Sequence, residues 1–154
     1  MANNITAIRG SALTFTGNPF QVGGEQSAHH EADALIIMQD GKITAFGDYD
    51  ATKQQLPEGV PVTTYTDALI LPGFIDTHVH YPQTQIIGAY GKQLIDWLNN
   101  YTFIAEQQFA SSEHGHDVAK VFLRECARAG TTPAMVYCTV YPQSVDAFFE
   151  ESEK

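Results

Sequence analysis

Cysteine is scarce in this 154-residue chain. It holds two, Cys126 and Cys138, which form no CxxC unit and lie beside no histidine. Both sit in apolar surroundings, so free buried thiols in a reducing cytosol are expected rather than a disulfide. Basic residues are few as well: 8 Lys and Arg stand against 18 Asp and Glu, for a net charge of −10. Residues 1–70 hold 8 acids and 3 bases and residues 71–154 hold 10 and 5, so each part carries −5. No basic stripe exists to neutralise phosphates, and a nucleic-acid partner is not expected. No apolar run approaches the ~20 residues that span a bilayer. The opening MANNITAIRG lacks the charged head and apolar core of a secretory signal. A cytoplasmic protein without a membrane partner is expected. Charged residues make up only 17% and hydrophobic ones 44%, which rules out a disordered polyelectrolyte and supports a packed core.

Residues 1–70 read as a small β lobe. Ile5 to Phe15 mixes β-branched and aromatic residues and stops at the turn cluster Gly17-Asn18-Pro19. Residues 23–30 are polar and predict a loop. Ala34 to Met38 is followed by Asp40-Gly41 and then Lys42 to Gly47, a strong hairpin signal because both turn residues tolerate positive φ. A further strand is predicted over residues 60–65. From residue 71 the pattern changes to β–loop–α–α–β–α, the rhythm of a (β/α) barrel or a doubly wound sheet. Ala68 to Ile75 reads as a strand buried on both faces. Leu94, Ile95, Leu98, Tyr101 and Phe103 lie near helical spacing. Val118, Val121, Phe122, Cys126 and Ala129 define the apolar face of a helix that Gly130 ends. Thr131 to Val140 predicts a second strand, and Pro142 opens a helix through Val145, Phe148 and Phe149.

The residues that carry chemistry are Phe74-Ile75-Asp76-Thr77-His78-Val79-His80. On an extended backbone His78 and His80 share a face with Asp76. Two imidazoles converging there suit a divalent ion of the zinc class, with Asp76 behind them as an acceptor that fixes a ring tautomer. Strand C-terminal ends are where barrel enzymes place their sites. His114 and His116 form a second HxH at a helix start, and His29-His30 lie in the polar loop; neither pair has further support as a metal site.

Leu71 to His80 is similar to the PGxIDxHxH signature of the amidohydrolase superfamily, and the Asp40 to Gly47 hairpin matches that superfamily's N-terminal lobe. Within it, His80-Tyr81-Pro82-Gln83, the segment Leu94 to Phe103, and Gly130-Thr131-Thr132 with Pro142-Gln143-Ser144 resemble the guanine deaminase family. The resemblance implies an α/β fold, with an N-terminal β lobe followed by the first βα units of an incomplete (β/α)8 barrel. It implies His78 and His80 as two ligands of a single zinc ion, or of iron. It further implies that His80, Tyr81, Pro82 and Gln83 line the base pocket, with Gln83 reading the purine through its amide and Trp97 as a flat wall. The expected reaction is hydrolytic deamination of guanine to xanthine and ammonia, and a homodimer is among the assemblies expected of the whole enzyme.

The family's other ligands and its proton-carrying glutamate come from later barrel strands, so the chain is expected to be an N-terminal portion with an incomplete site. Pro133 stands where the family usually has threonine, inside a strand, and Tyr141 where guanine deaminases usually carry histidine. Two rival readings stay open: an amidohydrolase acting on a different heterocycle, and a non-catalytic truncated remnant.

Overall fold

The computed structural model describes residues 4–154. The chain is a mixed α/β polypeptide that divides into two compact units, Met1–Pro72 and Gly73–Lys154.

In the first unit, β1 (Ile5–Phe15), β2 (Ala28–Gln39), β3 (Lys42–Asp48) and β4 (Val62–Ile70) form one sheet in the order β3-β2-β1-β4. The pairings β1–β2 and β2–β3 are antiparallel; β4 lies parallel to β1. The β2–β3 hairpin closes at Asp40-Gly41, where φ is 51° and 79°. An added Cβ at Gly41 would meet no atom within 4 Å, so a substitution there is opposed by backbone strain alone. Gly41→Val is therefore expected to destabilise this unit by about 1–3 kcal/mol, read as a lower urea midpoint with an unchanged m-value.

Side chains alternate across the sheet. Ala7, Leu35 and Ile37 are buried on one face with Tyr49 and Leu56 against them, and Ala12, Ala34 and Ile36 on the other with Met38, Phe46 and Ile70. A helical turn, α1 (Pro19–Val22), follows the turn cluster, and the segment 23–30 predicted as a polar loop instead holds a second helical turn, α2 (Gly24–Ser27), and the start of β2. Asn18 caps α1, its Oδ1 accepting from the Phe20 N–H at 2.9 Å, and Pro19 occupies the first helical position, where no N–H is needed. His29 and His30 are extended because they pair with Thr14 and Leu13 of β1, so the partner strand overrides their weak local preference. A further helical turn, α3 (Tyr49–Thr52), follows β3.

In the second unit, β5 (Phe74–His80) and β6 (Thr131–Tyr137) are parallel neighbours. The single strand predicted over Ala68–Ile75 is split: Ala68–Ile70 ends β4, and β5 begins at Phe74. Pro72 between them has no N–H to give a ladder. Nor is β5 buried on both faces, since Phe74 is 63% and Ile75 71% exposed. Between β5 and β6 run a 3-10 turn (Tyr81–Ile86), α4 (Leu94–Trp97), a π-type turn (Leu98–Thr102), α5 (Phe103–Gln107) and α6 (Ser112–Arg128). Helix α7 (Pro142–Ser152) follows β6.

The core gathers Tyr81, Phe109, Val118, Ala119, Phe122 and Phe148, with Cys126, Cys138 and Tyr141 packed on it. The face of α6 that turns inward is Gly115, Val118, Ala119 and Phe122, spaced i, i+3, i+4, i+7; Val121 and Ala129, expected inside, are exposed. On α7, Phe148 is buried while Val145 and Phe149 are exposed. Both cysteines are free, and burial pushes their thiols above the ordinary range. Pro133 falls in the register break between the Phe74–Thr131 and Asp76–Ala134 pairs, a position that tolerates a missing donor. Tyr141 precedes α7, and its N–H donates to Thr139 Oγ1 at 3.1 Å. Among the described residues no helix is long and apolar enough to cross a membrane.

Candidate active site

Alternation along β5 puts His78 and His80 on one face, with their Nε2 atoms 3.2 Å apart. Two imidazole nitrogens at about 2.0–2.1 Å from one tetrahedral zinc ion lie about 3.3–3.4 Å from each other, so the pair has the spacing of two corners of such a site. The Tyr137 ring, on the residue of β6 that pairs with His80, lies 4.7 Å from the His78 ring and 4.8 Å from His80, stacked on the latter at 16°. Asp76 differs from expectation. Its Oδ1 accepts from the His78 backbone N–H at 3.0 Å, a bond that ties down the strand rather than a ring nitrogen.

Gly73, immediately before β5, is required by a close approach. A Cβ there would come within 2.0 Å of Thr132 Oγ1 on β6, and the Phe74 N–H donates to the Gly130 carbonyl at 2.8 Å. Gly73→Ala is expected to push β5 from β6 and destabilise this unit by about 1–3 kcal/mol, the range for overpacking. The check is a lower midpoint in thermal denaturation, partly restored by Thr132→Ala.

The residues after β5 divide sharply. Tyr81 and Pro82, expected on the pocket surface, are buried. The 3-10 turn rolls Tyr81 inward, where its hydroxyl donates to the Ser144 carbonyl at 2.6 Å and its ring meets Phe109, Phe122 and Phe148. Gln83 and Thr84 turn the other way. With His78, His80 and Trp97 they line an open cavity of about 550 Å³, to which Ile86, Ile87 and Phe122 add apolar wall. Gln83 Nε2 donates to Glu106 Oε1 at 3.3 Å, and Trp97 Nε1 to the Ala89 carbonyl at 3.1 Å. Glu125, a carboxylate on the cavity wall, is paired with Arg124 at 3.3 Å and Arg128 at 3.4 Å.

None of the other histidines lines this cavity. On α6 a two-residue step turns about 200°, so His114 and His116 diverge. His114 lies edge-on to Phe109, and His116 Nδ1 is 2.8 Å from Glu151 Oε1. His29 meets Glu31 and His30 meets Ser11, each at 2.9 Å. Among the described residues no three His, Cys, Asp or Glu side chains gather as a metal site.

Residues 69–154 match the model of the amidohydrolase family. The chain belongs to this family. It is 40% identical to guanine deaminase of Escherichia coli K12 over 151 residues, covering 96% of this chain and 34% of that protein. The solved structure of E. coli guanine deaminase superposes with a TM-score of 0.85 over the same shares. Guanine deaminase of Bradyrhizobium japonicum superposes at 0.84 with 33% identity, over 97% of this chain and 33% of that one. The C. acetobutylicum guanine deaminase, crystallised with guanine in its active site, superposes at 0.71 with 26% identity over 96% and 33%. This amidohydrolase chain therefore spans about a third of the length of the relatives it matches.

Two residues near the site escape a reading of the sequence. Tyr137 is legible in principle, since pairing the predicted strands in parallel places it beside His80. Glu106 is not, because the π-type turn ahead of it breaks the helical count.

Proposed function

We propose that this chain provides two metal ligands and a purine-binding wall to an enzyme that hydrolyses guanine to xanthine and ammonia. The observation that carries the proposal is the His78–His80 pair at a cavity that Gln83 and Trp97 also line, in a chain so similar to guanine deaminases. In it, β5 and β6 are the first two strands of a (β/α)8 barrel, and the β5 C-terminus is the catalytic end.

His78 and His80 would hold one zinc ion, with iron as the alternative; the all-nitrogen pair suits either metal. A bound zinc ion supplies the acidification of water that hydrolysis at neutral pH needs. Gln83 binds the heterocycle edge through its amide, and Trp97 confines the ring and excludes water from its face. The new C–O bond forms at the carbon carrying the exocyclic amine. The C–N bond breaks there, and the amine leaves as ammonia after taking up a proton. That proton calls for a carboxylate carrier, and a catalytic zinc takes three protein ligands. The proposal assigns the missing ligand and the carrier to polypeptide that completes the barrel. Free, apolar-packed Cys126 and Cys138 support a reducing, cytoplasmic setting.

That no third His, Cys, Asp or Glu joins the pair among the described residues favours a second reading, a chain without turnover of its own. Xanthine formation from guanine with added zinc separates the two. No turnover is expected from the chain alone. Turnover is expected when the remaining two thirds of the E. coli relative are supplied in trans, and it is abolished by His78→Ala. Activity on adenine or cytosine but not guanine in that mixture would instead indicate a different heterocycle.

A further inference from the structure

We infer that Glu106 is a positioning residue for base recognition, fixing the Gln83 amide so that its carbonyl oxygen is free for the ligand. The inference rests on the purine-binding role proposed above for Gln83. An unconstrained amide can present either end to the cavity. Here Gln83 Nε2 donates to Glu106 Oε1 at 3.3 Å, with both residues partly buried. A carboxylate has no proton to give, so the amide must turn an N–H toward Glu106. Gln83 is left with a carbonyl oxygen and one N–H. The carbonyl selects a ligand with a ring or exocyclic N–H at that place, which guanine has on its lactam nitrogen, its amine and its imidazole ring.

The backbone explains how Glu106 reaches this position. The helical segment from Leu94 contains the π-type turn Leu98–Thr102, and one extra residue in a turn rotates the residues beyond it by about 100° relative to an unbroken α-helix. Such turns recur at functional sites, and this one is held despite a cost: Thr102 is 2% exposed and its Oγ1 has no hydrogen-bond partner among the described residues. Trp97 comes just before the π-type turn and Glu106 four residues after it. One segment therefore supplies both a wall of the cavity and the group that orients Gln83. The end of β5 with its following turn, His80 to Gln83, and the segment Leu94 to Glu106 act as one recognition unit.

The test uses the zinc-supplied complex of the ¹⁵N-labelled chain with the remaining two thirds of the E. coli relative, and has two readouts. In ¹⁵N NMR the Gln83 side-chain amide, assigned by its disappearance in Gln83→Ala, is expected to carry one proton shifted and protected by the carboxylate. That signature is lost in Glu106→Leu. Guanine affinity is then measured for the wild type, Gln83→Ala, Glu106→Leu and the double variant. Glu106→Leu is expected to weaken guanine binding about tenfold, but less than about twofold when Gln83 is already alanine, as interacting sites require. Glu106→Gln, whose amide carbonyl still accepts, is expected to recover part of the loss. An amide signature unchanged in Glu106→Leu, or equal losses in both backgrounds, overturns the positioning role. Absence of guanine binding by the wild type, with the signature intact, overturns the purine reading and this role with it. The amide signal tells that failure apart from loss of the contact itself.

Discussion

Tyr81→Ala is expected to remove about 3–5 kcal/mol from the stability of the Gly73–Lys154 unit, the range for deleting a buried aromatic ring. The ring is fully buried and meets Phe109, Phe122 and Phe148 at 5.0–6.2 Å between centroids. Nothing nearby can collapse into the space without abandoning that packing. The substitution also strands the Ser144 carbonyl, which accepts from the Tyr81 hydroxyl at 2.6 Å. Burial first, and the neighbouring Cys138 second, push that hydroxyl above its ordinary titration range. Tyr81→Phe keeps the ring and loses only the donor, for an expected cost of about 1–3 kcal/mol. Urea denaturation of the two variants beside the wild type separates packing from hydrogen bonding. Equal losses would mean that the ring contributes nothing beyond its hydroxyl.

The second large effect concerns the metal. His78→Ala or His80→Ala is expected to weaken zinc binding by about ten- to a hundredfold, on the order of 1.4–2.8 kcal/mol, because each leaves a single imidazole where two stand 3.2 Å apart. His114→Ala and His116→Ala are expected to leave zinc affinity unchanged, since His116 is held by Glu151 and His114 lies against Phe109. Equilibrium dialysis at micromolar zinc measures all four. Even the wild type should bind weakly, as two donors fall short of the three that a catalytic zinc takes. Tight stoichiometric binding lost in His114→Ala would refute the assignment.

The legible parts of the site are those written in local chemistry. Alternation along an extended chain puts His78 and His80 together without any knowledge of the fold. Asp40-Gly41 announces its turn through positive φ, as found. The expectations that fail depend on neighbours. Tyr81 is expected in the pocket because it lies between His80 and Gln83, but a 3-10 turn alters the direction of successive side chains. Leu94, Ile95, Tyr101 and Phe103 have the spacing of a helix's inner face and are exposed, while Thr102, Ala105 and Phe109 are buried. A π-type turn leaves no sequence mark in a period count, so Phe103 and the positions beyond it are rotated; the exposure of Leu94 and Ile95, which precede that turn, has a different origin. Strand lengths fail for a related reason: β2 begins at Ala28 because β1 offers it partners that far.

The lobe's strand order also bears on how it assembles in time. The β2–β3 hairpin closes across two residues, and β1 adds to it as a neighbour in sequence. Strand β4 returns from much farther away, setting Val62 beside Ala7 in parallel. Closing so long a loop must precede any reward from the pairing, and such long-range pairing is slow. The three-stranded meander is thus expected to form first and to hold while β4 detaches and reseats. Native-state hydrogen exchange should find the β4 amides opening at lower free energy than those of β1 and β2.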